Sequence, residues 1–139
     1  MRGSSLARFL VLIPLVGSLL AVSFSAEAHG LPKRVGECRE TRITQITTRW
    51  GDPLVDDPDD QSGSGSLVVF RNGGTQMSFS QVGALIRSRV RDRVRMCLVS
   101  VPQFCPRGDD RGRSYRTTNL RTGESWTLNR PGFVGGSNS

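Results

Sequence analysis

Turn signals come so often in this chain that no long helix fits between them. Asn72-Gly73-Gly74 lies between the segments 67–71 and 75–80, and Arg121-Thr122-Gly123 lies between 113–119 and 124–129. Asn and Gly tolerate the positive φ that a tight hairpin turn requires, so both stretches predict β-hairpins. Residues 94–101 form the most apolar strand candidate after the N-terminal run. Residues 41–50 are rich in Thr and Ile, which favours a strand, but Ile43, Ile46 and Trp50 do not alternate. A bulge or a helical turn there would account for the spacing. Residues 81–88 allow one or two helical turns. The pattern predicts an all-β fold, a small partly open β-barrel or sandwich of five to six short strands.

The N-terminus reads as an export signal. Met1 to Arg8 carries two arginines and no acid, Phe9 to Val22 is apolar, and Ala26-Glu27-Ala28 offers small residues at −3 and −1 of a cleavage site. That three-part order is the mark of a secretory signal peptide. The apolar run falls short of the roughly 20 residues a spanning helix needs, which disfavours a retained anchor. We therefore expect a signal peptide over residues 1–28, one secreted domain over 29–130 and a flexible Gly/Ser-rich tail over 131–139. No membrane span is expected after cleavage, and the location is periplasmic or secreted, in a bacterium. Residues 29–139 hold 33 apolar residues in 111, with 17 basic and 11 acidic residues, a net charge of +6. So few apolar residues exclude a multidomain enzyme and suggest a core that needs a covalent staple.

Export makes disulfides available. Cys97 and Cys105 enclose a seven-residue segment that passes from a strand into the Pro102 turn. We expect a disulfide between Cys97 and Cys105, worth about 2–3 kcal/mol for so short a loop, with Cys38 left as a free thiol or an interchain partner. A zinc site is disfavoured because His29 is the only histidine and no C-x-x-C occurs.

His29 would become the N-terminus after cleavage, and His-Gly looks like the start of secreted copper monooxygenases. Their copper brace needs a second His, which this chain lacks. Serine triads and Cys–His dyads fail for want of an imidazole in a stable element. The acidic segment 51–66 holds Asp52, Asp56, Asp57, Asp59 and Asp60, but no Glu stands at the twelfth position of a calcium loop. It reads as a mobile, solvated loop. No cofactor or metal is expected.

Arg87, Arg89, Arg91, Arg93 and Arg95 occupy every second position. On one continuous strand all five would face the same side, and guanidinium groups bind phosphate and carboxylate bidentately. The row is a candidate anion-binding site. Asp92 interrupts it and suggests a turn before Val94, which would split the row. No aromatic residue lies between Gln81 and Val101 for base stacking, so nucleic acid is disfavoured. Asp109, Asp110, Arg111, Tyr115 and Trp126 form a second candidate, a ligand surface. For the two aspartates the alternative is a turn bonding its own amides, and for Tyr115 and Trp126 it is core packing.

Val94-Arg-Met-Cys97-Leu-Val-Ser100-Val-Pro102, Cys105-Pro106, Gly108-Asp-Asp-Arg-Gly112, Tyr115 and Thr118-Asn-Leu-Arg-Thr-Gly-Glu-Ser-Trp126-Thr-Leu128 resemble a family of small exported proteobacterial proteins. The resemblance covers residues 43–128. It implies one exported domain and carries no activity with it. Family members often end in a further Cys before paired glycines. Here Phe133-Val134-Gly135-Gly136 stands there, and that departure would leave Cys38 without a partner. The functional expectation is a non-catalytic binding or interaction protein of the cell envelope or secretome. Its partner would be an anionic envelope polymer or another exported protein. A small carboxylate-dependent enzyme using Asp109 or Asp110 with an Arg, or a structural envelope protein without a ligand, are the alternatives.

Overall fold

The computed structural model describes residues 30–59 and 62–131. The expected signal peptide, His29, Asp60 and residues 132–139 lie outside them. The elements are β1 (Cys38–Thr47), β2 (Ser66–Phe70), β3 (Thr75–Ser78), α1 (Gly83–Ile86), β4 (Arg93–Ser100), β5 (Ser114–Asn119) and β6 (Ser125–Asn129). The six strands form a closed antiparallel barrel in the order β1-β2-β3-β6-β5-β4. The all-β barrel expected from the turn spacing is therefore present. Its ring is complete, with no second packed sheet among the described residues.

β1 makes that closure possible. Its first half, Cys38 to Arg42, pairs with β4, and Ile43 to Thr47 pairs with β2. Between Ile43 and Gln45 the register shifts, and Thr44 donates its hydroxyl to the Val69 carbonyl at 3.1 Å. A bulge bends a strand and increases its twist, which is what a strand at a barrel corner needs. The broken alternation of Ile43 and Ile46 in the sequence is the trace of this bulge.

Both expected hairpins form. In the first, Gly73 has φ 84°, and the Asn72 side chain accepts from the Gly74 amide at 3.1 Å. In the second, Gly123 has φ 76°, and Asn119 Oδ1 accepts from the Arg121 and Thr122 amides. β4 alternates cleanly: Val94, Met96 and Leu98 are fully buried, whereas Arg93 and Arg95 are exposed. Ile43, Val68, Phe70, Tyr115 and Trp126 complete the interior, and α1 contributes Ala84 and Leu85 to the same cluster. α1 lies between the end of β3 and the start of β4, so it covers one end of the barrel.

The interior also holds polar side chains, Gln76 and Thr117 among them. Gln76 is fully buried. Its amide nitrogen donates to the Tyr115 carbonyl at 2.8 Å and the Leu128 carbonyl at 3.3 Å. Its amide oxygen accepts from Thr117 Oγ1 and Trp126 Nε1, both at 2.9 Å. All four hydrogen-bonding positions of the amide are used. The seam between β3 and β6 is otherwise thin, with Met77 opposite Asn129 as its single registered pair. Gln76 thus reaches across the place where the backbone ladder is shortest.

The expected disulfide is corrected. Cys97 bonds to Cys38, and Cys105 is a free, half-buried thiol. Cys97 lies within β4 and faces outward, opposite Cys38 of β1, with their Cα atoms 4.0 Å apart. A side chain in mid-strand stands across the sheet and meets the neighbouring strand, not a residue further along its own chain. The bond joins the β1–β4 pair across a sequence separation of 59. A loop of that length implies a contribution of about 4 kcal/mol in the chain-entropy account.

Peptide mapping under non-reducing conditions should recover the Cys38 and Cys97 peptides linked, with Cys105 alone open to alkylation. The Cys38→Ser variant should lose about 4 kcal/mol of unfolding free energy, read from urea denaturation, and Cys105→Ser should lose far less.

Candidate functional site

The alternate-arginine row does not survive as one row. Arg87 is the C-cap of α1. Its guanidinium takes both carboxylate oxygens of Glu124, Nε at 2.8 and 3.0 Å and Nη2 at 2.6 Å. Arg89 and Arg91 lie in the turn between α1 and β4, where Arg91 adopts φ 78°. Only Arg93 and Arg95 stand on a strand with a common outward face.

Asp92 is the cause of the split. It is 9% exposed and closes the turn by accepting from the Arg89 amide at 2.9 Å. Arg121 donates Nε to Oδ1 at 2.8 Å and Nη2 to Oδ2 at 2.9 Å, and Asn119 Nδ2 donates to Oδ2 at 2.8 Å. The Arg121 hydrogen bonds do most to hold the Asp92 pKa down to about 2; the Asn119 and Arg89 donors add to this against the cost of burial. Asn119 also donates to Ser88 Oγ at 2.9 Å, and Ser88 donates to the Ala84 carbonyl at 2.8 Å. This network fastens α1 and the arginine turn to the β5–β6 hairpin.

What replaces the row is a patch assembled across three strands. On the outer face, Arg93 stands opposite Arg42, Arg95 opposite Glu40 and Thr118, and Cys97 opposite Cys38 and Arg116. Facing residues on neighbouring strands lie about 5 Å apart at Cβ and diagonal ones about 7–8 Å. Arg42, Arg93, Arg95 and Arg116 therefore share one face, with Glu40 as its one acid among the paired positions. Glu40 accepts from Arg93 Nη2, and Arg42 Nη1 donates to the Arg91 carbonyl at 3.1 Å. Arg95 and Arg116 are exposed and have no ion-pair or hydrogen-bond partner among the described residues. The disulfide lies on the same face, at the start of β1, and holds β1 against β4 there.

Sequence reasoning found Arg93 and Arg95 and missed Arg42 and Arg116. The available signal was the outward alternation of those two residues on their own strands. Which strand each would lie beside was not readable without the closed ring.

The second candidate surface comes apart. Tyr115 is 1% exposed and Trp126 5%, so both are core residues and neither offers a surface. Asp109 is held by Arg111, whose Nε donates to both carboxylate oxygens at 2.9 and 3.1 Å and whose Nη2 donates at 2.6 Å. Those bonds, with the Arg111 amide, hold its pKa down to about 2. Asp110 pairs with Arg130. The two adjacent carboxylates thus engage different cations.

The acidic segment is tied at several points. Thr47 and Pro53 form an isolated β-bridge, and the Asp57 amide donates to Gln81 Oε1 at 3.0 Å. Asp56 acts electrostatically on Arg87. No group of three or more metal-ligating side chains occurs among the described residues. Beside this segment Arg49 lies between two exposed rings, 4.9 Å from the centre of Trp50 and 4.7 Å from that of Phe79.

Comparison with protein-family models, with curated proteins and with solved structures finds no match for this chain.

Asp92 makes a prediction about acid. Because its folded pKa lies below its ordinary 3.8, its stabilisation is complete above about pH 4–5 and is lost as pH falls through about 2. Asp92→Asn should lower the urea midpoint at pH 7, and the gap from wild type should narrow when both are measured near pH 2.

Proposed function

We propose that this chain is an exported, non-catalytic binding module whose outer β1–β4–β5 face takes an anionic polymer of the cell envelope. The observation that carries the reading is the state of Arg95 and Arg116. Both are exposed, both are unpaired among the described residues, and they lie diagonal to each other on a sheet pinned by a disulfide. Arg42 and Arg93 extend the patch, and one carboxylate, Glu40, offsets part of its charge. Several arginines on a rigid strand face suit a repeated carboxylate or phosphate better than one small ligand. Export is supported by the N-terminal Arg-apolar-Ala-x-Ala order and by the disulfide, which persists in oxidising compartments. The resemblance to small exported proteobacterial proteins agrees with that location.

An enzymatic reading through Asp109 or Asp110 has less support. Asp109 is kept ionised by Arg111, whereas a general acid must hold its proton, and Asp110 is engaged by Arg130.

The chain without residues 1–28 should be retained on immobilised polygalacturonate at low salt and released as salt rises. The Arg95→Glu/Arg116→Glu pair should weaken binding by about tenfold or more. Arg87→Gln, whose partner is Glu124, should change it little. Equal retention of the wild type and the double variant would contradict the proposal, as would no retention of the wild type at low salt.

A further inference from the structure

The end of the barrel opposite α1 is covered in part by Leu31, which packs against the core. There the end of β2, the start of β5 and the end of β6 meet the segments at 31–33 and 108–113 around a cavity of about 500 Å³. Lys33, Arg113, Arg130 and Asp110 bring the charge to its wall. Arg130 is paired with Asp110. Lys33 and Arg113 have no ion-pair partner among the described residues. Three cations against one carboxylate leave the cavity with excess positive charge.

Arg113 Nε, on the cavity wall, and the Tyr115 hydroxyl are buried without a hydrogen-bond partner among the described residues. Tyr115 is 1% exposed. The charged groups that act on its hydroxyl are Arg113, Asp110 and Arg130, and all three line the cavity. Its hydroxyl is thus within electrostatic reach of the cavity wall. Burial raises its pKa, with Arg113 opposing, so the hydroxyl keeps its proton near neutrality and remains a donor. Buried donors without acceptors are rare in folded proteins. Here the Arg113 guanidinium lies on the cavity wall, and the group its Nε–H lacks is an acceptor.

We propose that this cavity binds a small oxyanion, a carboxylate or phosphate group, held by Arg113 and Lys33. A volume of this order suits one acidic group and the first atoms of what carries it. The site is separate from the outer arginine face and stands on different residues, so either can fail without the other.

Arginine Nε–H resonances of the ¹⁵N-labelled chain without residues 1–28, followed while inorganic phosphate or acetate is added at constant ionic strength, test this directly. The Arg113 Nε–H signal should shift saturably with at least one anion, whereas those of Arg95 and Arg116 should move weakly and without saturation. Saturation with phosphate only identifies a phosphoryl group, and saturation with acetate identifies a carboxylate. Arg113→Gln should abolish the response of the remaining cavity signals. Because Arg113 is partly buried, the exposed Lys33→Gln is the safer variant, and it should weaken binding by about threefold or more. Arg95→Gln should leave it unchanged. No saturable shift with either anion, or equal affinity in Lys33→Gln, would overturn the proposal.

Discussion

A buried amide completes the ring. Gln76 donates to two carbonyls of β5 and β6 and accepts from Thr117 and Trp126. It does so where β3 and β6 share one registered pair. A buried polar group left unpaired costs about 1–3 kcal/mol, so removing Gln76 would strand several at once. The same dependence makes the network specific: only a side chain with two donors and two acceptors, entering from β3, completes it.

The rest of the structure is arranged around that closed ring. α1 and the Asp92–Asn119–Arg121 network occupy one end. At the opposite end Arg113, Arg130 and Lys33 gather around the cavity. On the outside, the disulfide joins β1 to β4 and places the arginines of three strands on one face. Interior, ends and outer face thus carry different chemistry: the hydrogen-bonded Gln76 amide inside, an ion-pair network at one end, and an excess of cations at the other end and outside.

Local features were readable from the sequence. Asn72-Gly73-Gly74 and Arg121-Thr122-Gly123 marked both hairpins, because positive φ at a turn glycine is a property of a few neighbouring residues. The irregular Ile43–Ile46 spacing marked the bulge, and Asp92 marked the break in the arginine row. Features that depend on closure were not readable. Cys97 was expected to pair with Cys105, which is near in sequence, but β4 places it beside Cys38, which is near in space. Arg42 and Arg116 joined the patch for the same reason. Gln76 gave no sign in the sequence of being interior, since a Gln between Thr75 and Met77 reads as an exposed strand position. Tyr115 and Trp126 packed into the core, as alternating strand residues of that size tend to do.

By its bonds to Leu128 and Trp126, Gln76 holds the β3–β6 seam shut. Hydrogen exchange of the Trp126 Nε1–H, which donates to Gln76 at 2.9 Å, measures it most directly. The indole proton should exchange as slowly as the buried β4 amides, through global unfolding alone. Fast exchange of that proton while the β4 amides stay protected would show that the seam opens by itself, and would contradict the account.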